Sequence, residues 1–274
     1  MEATRRLSPE LVEHARAYAA GDRDPVTPRD AATVVLLRSG PNGMEAYLLR
    51  RHRGMAFAGG MVAFPGGGVD PRDTDGVSAW AGPPVAAFAE RLDCDPALAR
   101  ALVCAAVRET FEESGVLLAG PSPDSIVDDT AGADWEADRQ ALVDRSLAFT
   151  DLLERRELVL RADLLAPWAH WITPAFEPRR YDTRFFVAML PIGQRTRDVS
   201  GEADAVRWMR PADAMGAVDA ETIRMLPPTY VTLMQLAEYE KPADALAAAA
   251  DRDIRTVQPE VRLDGDDGWL VVDA

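Results

Sequence analysis

The most informative stretch of this sequence covers residues 95–116, which read DPALARALVCAAVRETFEESGV. Asp95 followed by Pro96 is typical of a helix start, because Asp caps free N–H groups and proline fits the first helical position. Gly115 is typical of a helix end, so the stretch predicts one long helix that ends at Ser114. Apolar residues recur along it near a 3.6 period, which predicts packing in a core. They are Leu98, Leu102, Ala105, Ala106 and Phe111.

Three glutamates lie near the end of this predicted helix. Glu109, Glu112 and Glu113 stand at i, i+3 and i+4, a spacing that places their carboxylates on one helix face. Their mutual repulsion has to be offset by solvent, by basic side chains or by bound divalent cations. Mg²⁺ prefers oxygen ligands and is commonly held by a few carboxylates together with substrate phosphates. A merely solvated acidic face is the alternative interpretation of the same three residues.

A glycine-rich bend precedes this helix in the chain. Residues 64–68 read FPGGG, an apolar strand end followed by glycines that permit unusual backbone angles. Such a bend can present carbonyl oxygens and N–H groups to a metal–phosphate complex. It lacks the Lys-Ser/Thr continuation of a P-loop, which argues against a kinase or an ATPase. Bend and glutamates together favour a metal–phosphate site.

The helix end and the bend together resemble the Nudix box, G-x5-E-x7-R-E-U-x-E-E-x-G-U, in which U is aliphatic. The segment Arg108–Val116 (RETFEESGV) matches the second half of the box, and Phe64–Gly67 (FPGG) resembles its start. On these residues the chain is identified as a member of the Nudix hydrolase superfamily. The resemblance implies an α/β (α+β) chain that forms a Nudix-type α/β/α sandwich with a mixed sheet.

The box departs from the regular pattern in three places. Between Gly67 and Arg108 lie 40 residues, 27 more than in the regular box, which indicates an insertion at about residues 69–96. Arg100 stands eight positions before Arg108, where the uninterrupted box has glutamate. Thr110 occupies a position that is usually aliphatic. The candidates for the missing glutamate are Glu90, Asp93 and Asp95.

An interrupted box of this kind resembles one subgroup, whose best-known member is the peroxisomal coenzyme A diphosphatase of animals. Two later parts of the chain add to that resemblance, and together they extend it over roughly residues 30–240. They are Trp171–Pro174 (WITP) with Arg180–Phe186 (RYDTRFF), and Leu226–Thr229 (LPPT). The resemblance implies metal-dependent hydrolysis of a nucleoside diphosphate derivative, with CoA or acyl-CoA as the preferred class. The alternatives are NADH, ADP-ribose or another nucleotide as substrate, and a Nudix-fold sensor that binds a nucleotide without cleaving it.

The resemblance also implies roles for individual residues, with Mg²⁺ or Mn²⁺ as the cofactor. Glu109 and Glu113 become catalytic candidates, since either could polarise the attacking water, and Arg108 becomes their orienting partner. The implied metal ligands are Glu109, Glu112, Glu113, the carbonyl of Gly66 or Gly67, and Glu202 in a later acidic turn. For Glu202, an ordinary acidic turn is the alternative.

Arginines are the expected phosphate contacts, because a guanidinium can bind phosphate in a bidentate manner. The predicted substrate-binding residues are Arg51, Arg179, Arg180, Tyr181 and Arg184. Solvated surface arginines and a core tyrosine are the alternatives. His170 is predicted to lie in the core. The histidines show no metal-ligand spacing with the cysteines, which argues against a zinc site. Cys94 and Cys104 are predicted to be buried small apolar side chains rather than nucleophiles.

The sequence as a whole predicts three regions. Residues 1–29 form a helical N-terminal extension, residues 30–215 the Nudix domain, and residues 216–274 a helical C-terminal extension with a small hairpin near its end. Helical patterning is predicted at 85–92 and 135–161. Strands are predicted at 31–38, 44–50, 168–173, 184–190 and 205–209. This order of strands and helices is typical of an α/β or α+β sandwich.

Composition limits the possible partners. The 274 residues include 45 acidic and 30 basic side chains, a net charge of −15 that opposes binding to nucleic acid or to an anionic membrane. No run approaches the roughly 18 apolar residues of a membrane helix. Two cysteines fit reduced thiols better than a disulfide framework. We therefore expect a cytoplasmic protein that binds neither nucleic acid nor a membrane. The resemblance implies a small-molecule nucleotide substrate, and a homodimer is possible.

Overall fold

The computed structural model describes residues 2–54, 58–74, 79–198 and 203–273. Its helices are α1 (Pro9–Ala19), α2 (Val85–Leu92), α3 (Pro96–Ser114), α4 (Ala133–Val143), α5 (Phe149–Arg155), α6 (Pro211–Asp219), α7 (Pro227–Leu236) and α8 (Pro242–Ala250), with short 3-10 turns at Pro71–Thr74 and Ala162–Leu164. Its strands are β1 (Glu2–Arg6), β2 (Arg29–Gly40), β3 (Gly43–Arg51), β4 (Val62–Ala63), β5 (Gly66–Gly68), β6 (Trp80–Ala81), β7 (Ala119–Gly120), β8 (Val159–Arg161), β9 (Ala166–Ile172), β10 (Tyr181–Met189), β11 (Ala203–Met209), β12 (Thr256–Val257), β13 (Glu260–Asp264) and β14 (Asp267–Asp273).

A mixed sheet forms the centre of the fold. Its strands lie in the order β11-β3-β2-β10-β9-β12, and β4 and β5 pair with β3 and β2. The pairs β2–β10 and β9–β12 are parallel, whereas β2–β3, β3–β11 and β9–β10 are antiparallel. In β5, Gly66 stands opposite Thr33 of β2, so the glycine bend is held by the middle of the sheet.

Two apolar cores lie on opposite faces of this sheet. Successive side chains of a strand point to opposite faces. Val34 and Leu36 of β2 therefore pack with α2 and α3, whereas Val35 and Leu37 pack with α7 and α8. The result is helix, sheet, helix in three layers, which confirms the predicted α/β/α sandwich.

Helix α3 begins and ends where the sequence predicts. Asp95 is the N-cap, and its carboxylate accepts a hydrogen bond from the backbone N–H of Leu98 at 2.9 Å. Gly115 has a φ of +74°, the left-handed conformation that favours glycine after a helix. The helix is buried on most of its circumference between Ala99 and Val107. This burial fixes its last turns, and with them the three glutamates, against the sheet.

The two ends of the chain meet in a separate small sheet. Strand β1 pairs with β14, and β14 forms the predicted C-terminal hairpin with β13. The predicted N-terminal helix is α1, but β1 before it is not predicted, because its partner lies at the far end of the chain. Residues 216–274 contain α7 and α8 as expected and then end in strands. The patterning over 135–161 resolves into α4, α5 and the strand β8.

None of the helices among the described residues combines the length and the apolar character required to cross a membrane.

Candidate active site

The end of α3 and the glycine bend form one site. The N–H of Gly66 donates a hydrogen bond to Oε2 of Glu113 at 2.8 Å. Gly67 faces Glu109 so closely that a Cβ at this position would lie 2.5 Å from Oε1 of Glu109. Glu109, Glu112 and Glu113 all line a cavity of about 450 Å³, which we call the acidic cavity. The predicted proximity of the glutamates to the bend is therefore present in the structure.

Arg108 ties the acidic side chains together. Its Nη1 donates to Oε1 of Glu109 at 2.6 Å and to Oε1 of Glu112 at 3.1 Å. Its Nη2 donates to the carbonyl oxygen of Gly68 at 2.9 Å and to Oδ2 of Asp73 at 3.0 Å. A guanidinium with five N–H donors can make all these contacts at once. Arg108 thus orients two glutamates and joins α3 to the bend, as the resemblance implies.

Asp73 is a further candidate residue of this site, and it is absent from the residues predicted from the sequence. Its side chain is almost fully buried and pairs with Arg108. Gly67 followed by five residues leads to Asp73, so it occupies the acidic position of the Nudix box when the count runs forward from the bend. Counting back from Arg108 leads to Arg100 because the extra residues follow Asp73, and the candidates Glu90, Asp93 and Asp95 do not pair with Arg108. In the structure Glu90 is exposed, Asp93 ends α2, and Asp95 caps α3.

Three acidic side chains of this site, Asp73, Glu109 and Glu112, share one cation, the guanidinium of Arg108. Burial raises the pKa of Glu109 to about 7, against the lowering effect of Arg108. Burial also raises the pKa of Glu112 and of Asp73 above their ordinary values, although Arg108 lowers both. One guanidinium therefore leaves the negative charge of three buried carboxylates only partly offset. Such a site gains from an additional cation.

The donor set fits a hard divalent cation. Among the described residues, no group of three or more acidic, histidine or cysteine side chains already stands in an arrangement that holds a metal ion. The reason is local, since Arg108 engages Glu109 and Glu112 while the N–H of Gly66 engages Glu113. All three nevertheless offer oxygen ligands to the same cavity, next to the backbone of Gly67. Arg108 contacts Oε1 of Glu109 and Oε1 of Glu112, and the second carboxylate oxygen of each side chain would contact the ion.

Thr110 stands where the Nudix box usually has an aliphatic residue, and its buried hydroxyl is hydrogen-bonded. The side chain is buried, and its hydroxyl donates to the carbonyl oxygen of Ala106 at 2.7 Å. A threonine that bonds to the preceding helical turn leaves no unpaired hydroxyl in the core. This departure from the box therefore lies away from the chemistry.

Arg51 and Tyr181 are the predicted substrate-binding residues that the structure brings to the site. Both line the acidic cavity, and both also line a second cavity beside it. The Nε atom of Arg51 is buried and has no hydrogen-bond partner in the part of the chain that the structure describes. A buried unpaired donor is costly, which favours an anionic ligand at this point.

The other three predicted substrate-binding residues lie elsewhere. Arg179 is exposed and lines neither cavity. Arg180 is buried and donates to the carbonyl oxygens of Thr173 and Val26. Arg184 bonds to Asp182 and to the carbonyl oxygen of Leu92. We therefore retain only Arg51 and Tyr181 as candidate substrate contacts.

Successive side chains of β10 point to opposite faces of the sheet, and this explains why Tyr181 lies at the site whereas Arg184 does not. Tyr181, Thr183 and Phe185 point to the second cavity, whereas Asp182 and Arg184 point to the opposite face, toward α2. The prediction of one arginine cluster at residues 179–184 is wrong because successive side chains of a strand point to opposite faces.

The remaining predictions concern the four residues His170, Cys94, Cys104 and Glu202. His170 is buried between Asp182 and Thr256, as predicted for a core histidine. Cys104 is buried as predicted, and burial raises the pKa of its thiol to about 12, so it stays protonated. Cys94 is only half-buried. Glu202, the last predicted metal ligand, lies outside the residues that the structure describes.

The second cavity measures about 240 Å³ and is mostly apolar, and we call it the apolar cavity. Both later segments that resemble the subgroup line it, together with the bend and the C-terminal hairpin. Its lining includes Phe64, Trp171, Ile172, Pro174, Phe185, Leu226, Pro227, Pro228, Pro259 and Leu270. The WITP and LPPT segments are separate motifs in the sequence, and only the fold brings them together in one cavity lining. A three-layer sandwich whose glutamate-rich helix end packs on a glycine bend is the architecture of a Nudix domain.

Comparison with known proteins agrees with this class. The family described as the NUDT19 Nudix domain matches residues 88–236. The crystal structure of a NUDIX hydrolase from Alicyclobacillus acidocaldarius has a TM-score of 0.70 and 30% identity, and the match covers 81% of this chain and 96% of that one. This chain therefore belongs to the Nudix hydrolases, in the family of the NUDT19 Nudix domain.

Curated relatives are more distant. Acyl-coenzyme A diphosphatase NUDT19 of Gallus gallus is 28% identical over 189 residues, which are 62% of this chain and 47% of the relative. Putative nudix hydrolase 7 of Caenorhabditis elegans is 25% identical over 210 residues, which are 77% of this chain and 61% of the relative. The chain thus spans about half the length of the curated relatives that it matches.

Proposed function

We propose that this protein is a Mg²⁺- or Mn²⁺-dependent pyrophosphohydrolase whose preferred substrates are CoA and acyl-CoA. The products are 3′,5′-ADP and phosphopantetheine or its acyl derivative. The observation that carries the proposal is the packing of Glu109, Glu112 and Glu113 on the bend at Gly66 and Gly67, beside an apolar cavity. The curated relatives named as acyl-coenzyme A diphosphatases support the substrate class.

The reaction breaks one phosphoanhydride bond. The oxygen of water forms a bond to one phosphorus, the bridging oxygen leaves with the other phosphorus, and the water protons are released or transferred to a base. A bound divalent cation would supply charge neutralisation on the phosphate oxygens and would acidify the water. Glu109, Glu112, Glu113 and the backbone of Gly67 would hold it.

The residues of this chain have distinct tasks in that reaction. Arg108 holds Glu109 and Glu112 in place and is itself fixed by Asp73. Glu113 is held by the N–H of Gly66, which aims it at the cavity and makes it a candidate for orienting the water. Arg51 reaches the diphosphate from the border with the apolar cavity.

A product assay tests the proposal. The folded protein is incubated with CoA, octanoyl-CoA, NADH and ADP-ribose, each with Mg²⁺ and with EDTA, and the products are identified. We expect CoA compounds to be cleaved fastest, and only with the metal. Glu113→Gln should lower kcat by at least about a hundredfold, since it loses a charged group at the reacting centre. The exposed Glu90→Gln is the matched control and should keep wild-type kcat.

Each alternative predicts a different result. Faster cleavage of NADH or ADP-ribose would make this protein a pyrophosphatase for another nucleotide. Binding without turnover of any of the four compounds would make it a nucleotide sensor.

A further inference from the structure

We infer that Arg139 of α4 is a positioning residue for the metal site, because it fixes the backbone of the turn that carries Glu112 and Glu113. Glu136 and Arg197 complete this support. The inference rests on the proposed function, since the support matters for activity only if the glutamates of α3 bind a divalent cation.

The last turn of α3 requires hydrogen-bond partners from outside the helix. The last four carbonyl groups of an α-helix have no partner within it, and this turn carries two of the three glutamates. Nη1 of Arg139 donates to the carbonyl oxygen of Glu112 at 2.8 Å. The backbone N–H of Arg197 donates to the carbonyl oxygen of Ser114 at 2.9 Å. Two arginines thus supply partners that the helix itself lacks.

Glu136 joins these two arginines. Its Oε1 accepts a hydrogen bond from Nη2 of Arg139 at 2.5 Å, and its Oε2 accepts one from Nη1 of Arg197 at 3.0 Å. Nη2 of Arg197 also donates to the carbonyl oxygen of Thr130, and the hydroxyl of Thr130 donates to the carbonyl oxygen of Gly115. Three segments that follow the Nudix box in the chain therefore converge on the end of α3.

Gly115 leaves room for this support. A Cβ at this position would lie 2.9 Å from Nε of Arg197, so the guanidinium packs directly against the glycine. The glycine that ends the helix in the left-handed conformation thus also admits the arginine beside it.

The surroundings of Arg139 favour a contact with the helix over a contact with substrate. Its side chain is only 4% exposed, although it lines the acidic cavity. Within the described residues, its guanidinium bonds to Glu136 and to the backbone of Glu112. A cation is favourable at a helix C-terminus, because the carbonyl groups there carry partial negative charge. We therefore assign Arg139 to the end of α3 rather than to a substrate phosphate.

The consequence for the metal site is geometric. Each carboxylate moves with the backbone that carries it, so Glu112 and Glu113 keep their positions only while the last turn is fixed. Loss of a group that orients metal ligands typically weakens metal binding by about 10- to 100-fold. Removal of Arg139 should therefore weaken metal binding even when no substrate is present.

The first test measures the affinity of the metal-free protein for Mn²⁺ by calorimetry, without substrate. We expect Arg139→Ala to raise the Kd for Mn²⁺ by about tenfold or more, and Glu136→Gln to raise it as well. Arg139→Lys keeps the charge but loses the fork of donors, so its Kd should lie between those of the wild type and Arg139→Ala.

Arg161→Ala is the matched control. Arg161 is mostly buried and, like Arg139, bonds to one carboxylate and one backbone carbonyl, those of Asp163 and Ser125. It lines neither cavity. This variant loses a comparable set of hydrogen bonds and should keep the wild-type Kd for Mn²⁺.

Hydrogen–deuterium exchange provides a readout that requires neither metal nor substrate. We expect faster exchange of the backbone N–H groups of residues 112–117 in Arg139→Ala, and wild-type exchange at these residues in Arg161→Ala. A uniform acceleration along the whole chain in Arg139→Ala would show a general loss of stability and would overturn the positioning role.

The outcomes separate the inference from the proposed function. Failure of the wild-type protein to bind Mn²⁺ overturns the proposed function and the inference with it. Binding by the wild type with an unchanged Kd in Arg139→Ala, or an equal rise in Arg161→Ala, overturns only the role of Arg139. A raised KM for CoA with an unchanged Kd for Mn²⁺ would make Arg139 a substrate contact instead. If Arg139→Ala does not fold, an unchanged Kd in both Arg139→Lys and Glu136→Gln overturns the inference.

Discussion

At the scale of single residues, the site depends on one guanidinium. Arg108 bonds to Asp73, Glu109, Glu112 and the carbonyl oxygen of Gly68, and it is largely buried. A buried ion pair is costly to break, because its remaining partner stays charged without compensation. The partner most deeply buried with Arg108 is Asp73, which follows the bend and precedes the insertion.

Asp73→Asn tests that assignment. We expect the free energy of unfolding to fall by about 2–3 kcal/mol, the value of a charged hydrogen bond lost in a buried site. We also expect kcat to fall at least about tenfold, because Arg108 no longer holds the glutamates in one geometry. Chemical denaturation and the CoA assay measure the two effects. Glu90→Gln is the control, and if it matched Asp73→Asn in both assays, Asp73 would not be the partner of Arg108.

The pKa of Glu109 predicts how stability depends on pH and metal. Because the folded-state pKa of about 7 lies above the ordinary value of 4.5, the metal-free protein loses stability as pH rises through this window. Mg²⁺ binds the ionised carboxylate, so its stabilising effect should grow over the same window to several degrees in Tm. Thermal unfolding in EDTA and in Mg²⁺ from pH 5 to 8 measures this. A gap in Tm that is constant with pH, or unchanged in Glu109→Gln, contradicts the prediction.

At the scale of secondary structure elements, β5 and α3 have to approach closely. Gly67 leaves room for the carboxylate of Glu109 in α3, whereas a Cβ at Gly66 would collide with Thr33 and Ala32 of β2. Residue choice at these two positions of β5 is thus set by the neighbouring helix and strand rather than by strand propensity.

Gly67→Ala tests the close approach. The added methyl group would lie 2.5 to 2.7 Å from the carboxylate of Glu109, so that side chain must move. We expect kcat to fall at least about tenfold while the far-UV circular dichroism spectrum stays unchanged. In Gly216→Ala, a Cβ would meet no heavy atom within 4 Å, so this helical control should keep full activity. Wild-type activity in Gly67→Ala would mean that Glu109 has another position available during catalysis.

At the scale of the whole molecule, the site combines parts from most of the chain. The sheet holds the bend, α3 brings the glutamates, and the C-terminal hairpin, braced by β1, helps to close the apolar cavity. The net charge of −15 is compatible with the proposed phosphate binding, because Arg51, Arg139 and Arg145 line the acidic cavity. Local arrangement, not net charge, decides what a site binds.

Local patterns in the sequence were sufficient for helix α3, its two caps and the shared face of its three glutamates. Spacing of 3.6 residues per turn and the capping chemistry of Asp95 and Gly115 require no knowledge of the rest of the fold. The Nudix architecture followed from the same residues and the bend, by resemblance.

Contacts between distant segments were decided only by the tertiary structure. The opposite directions of Tyr181 and Arg184 and the assembly of the apolar cavity both depend on sheet register and layer packing. A shift of one residue in strand register would reverse every side chain of β10. No local pattern carries that information, because it arises from the fit of strands and helices that lie far apart in the chain.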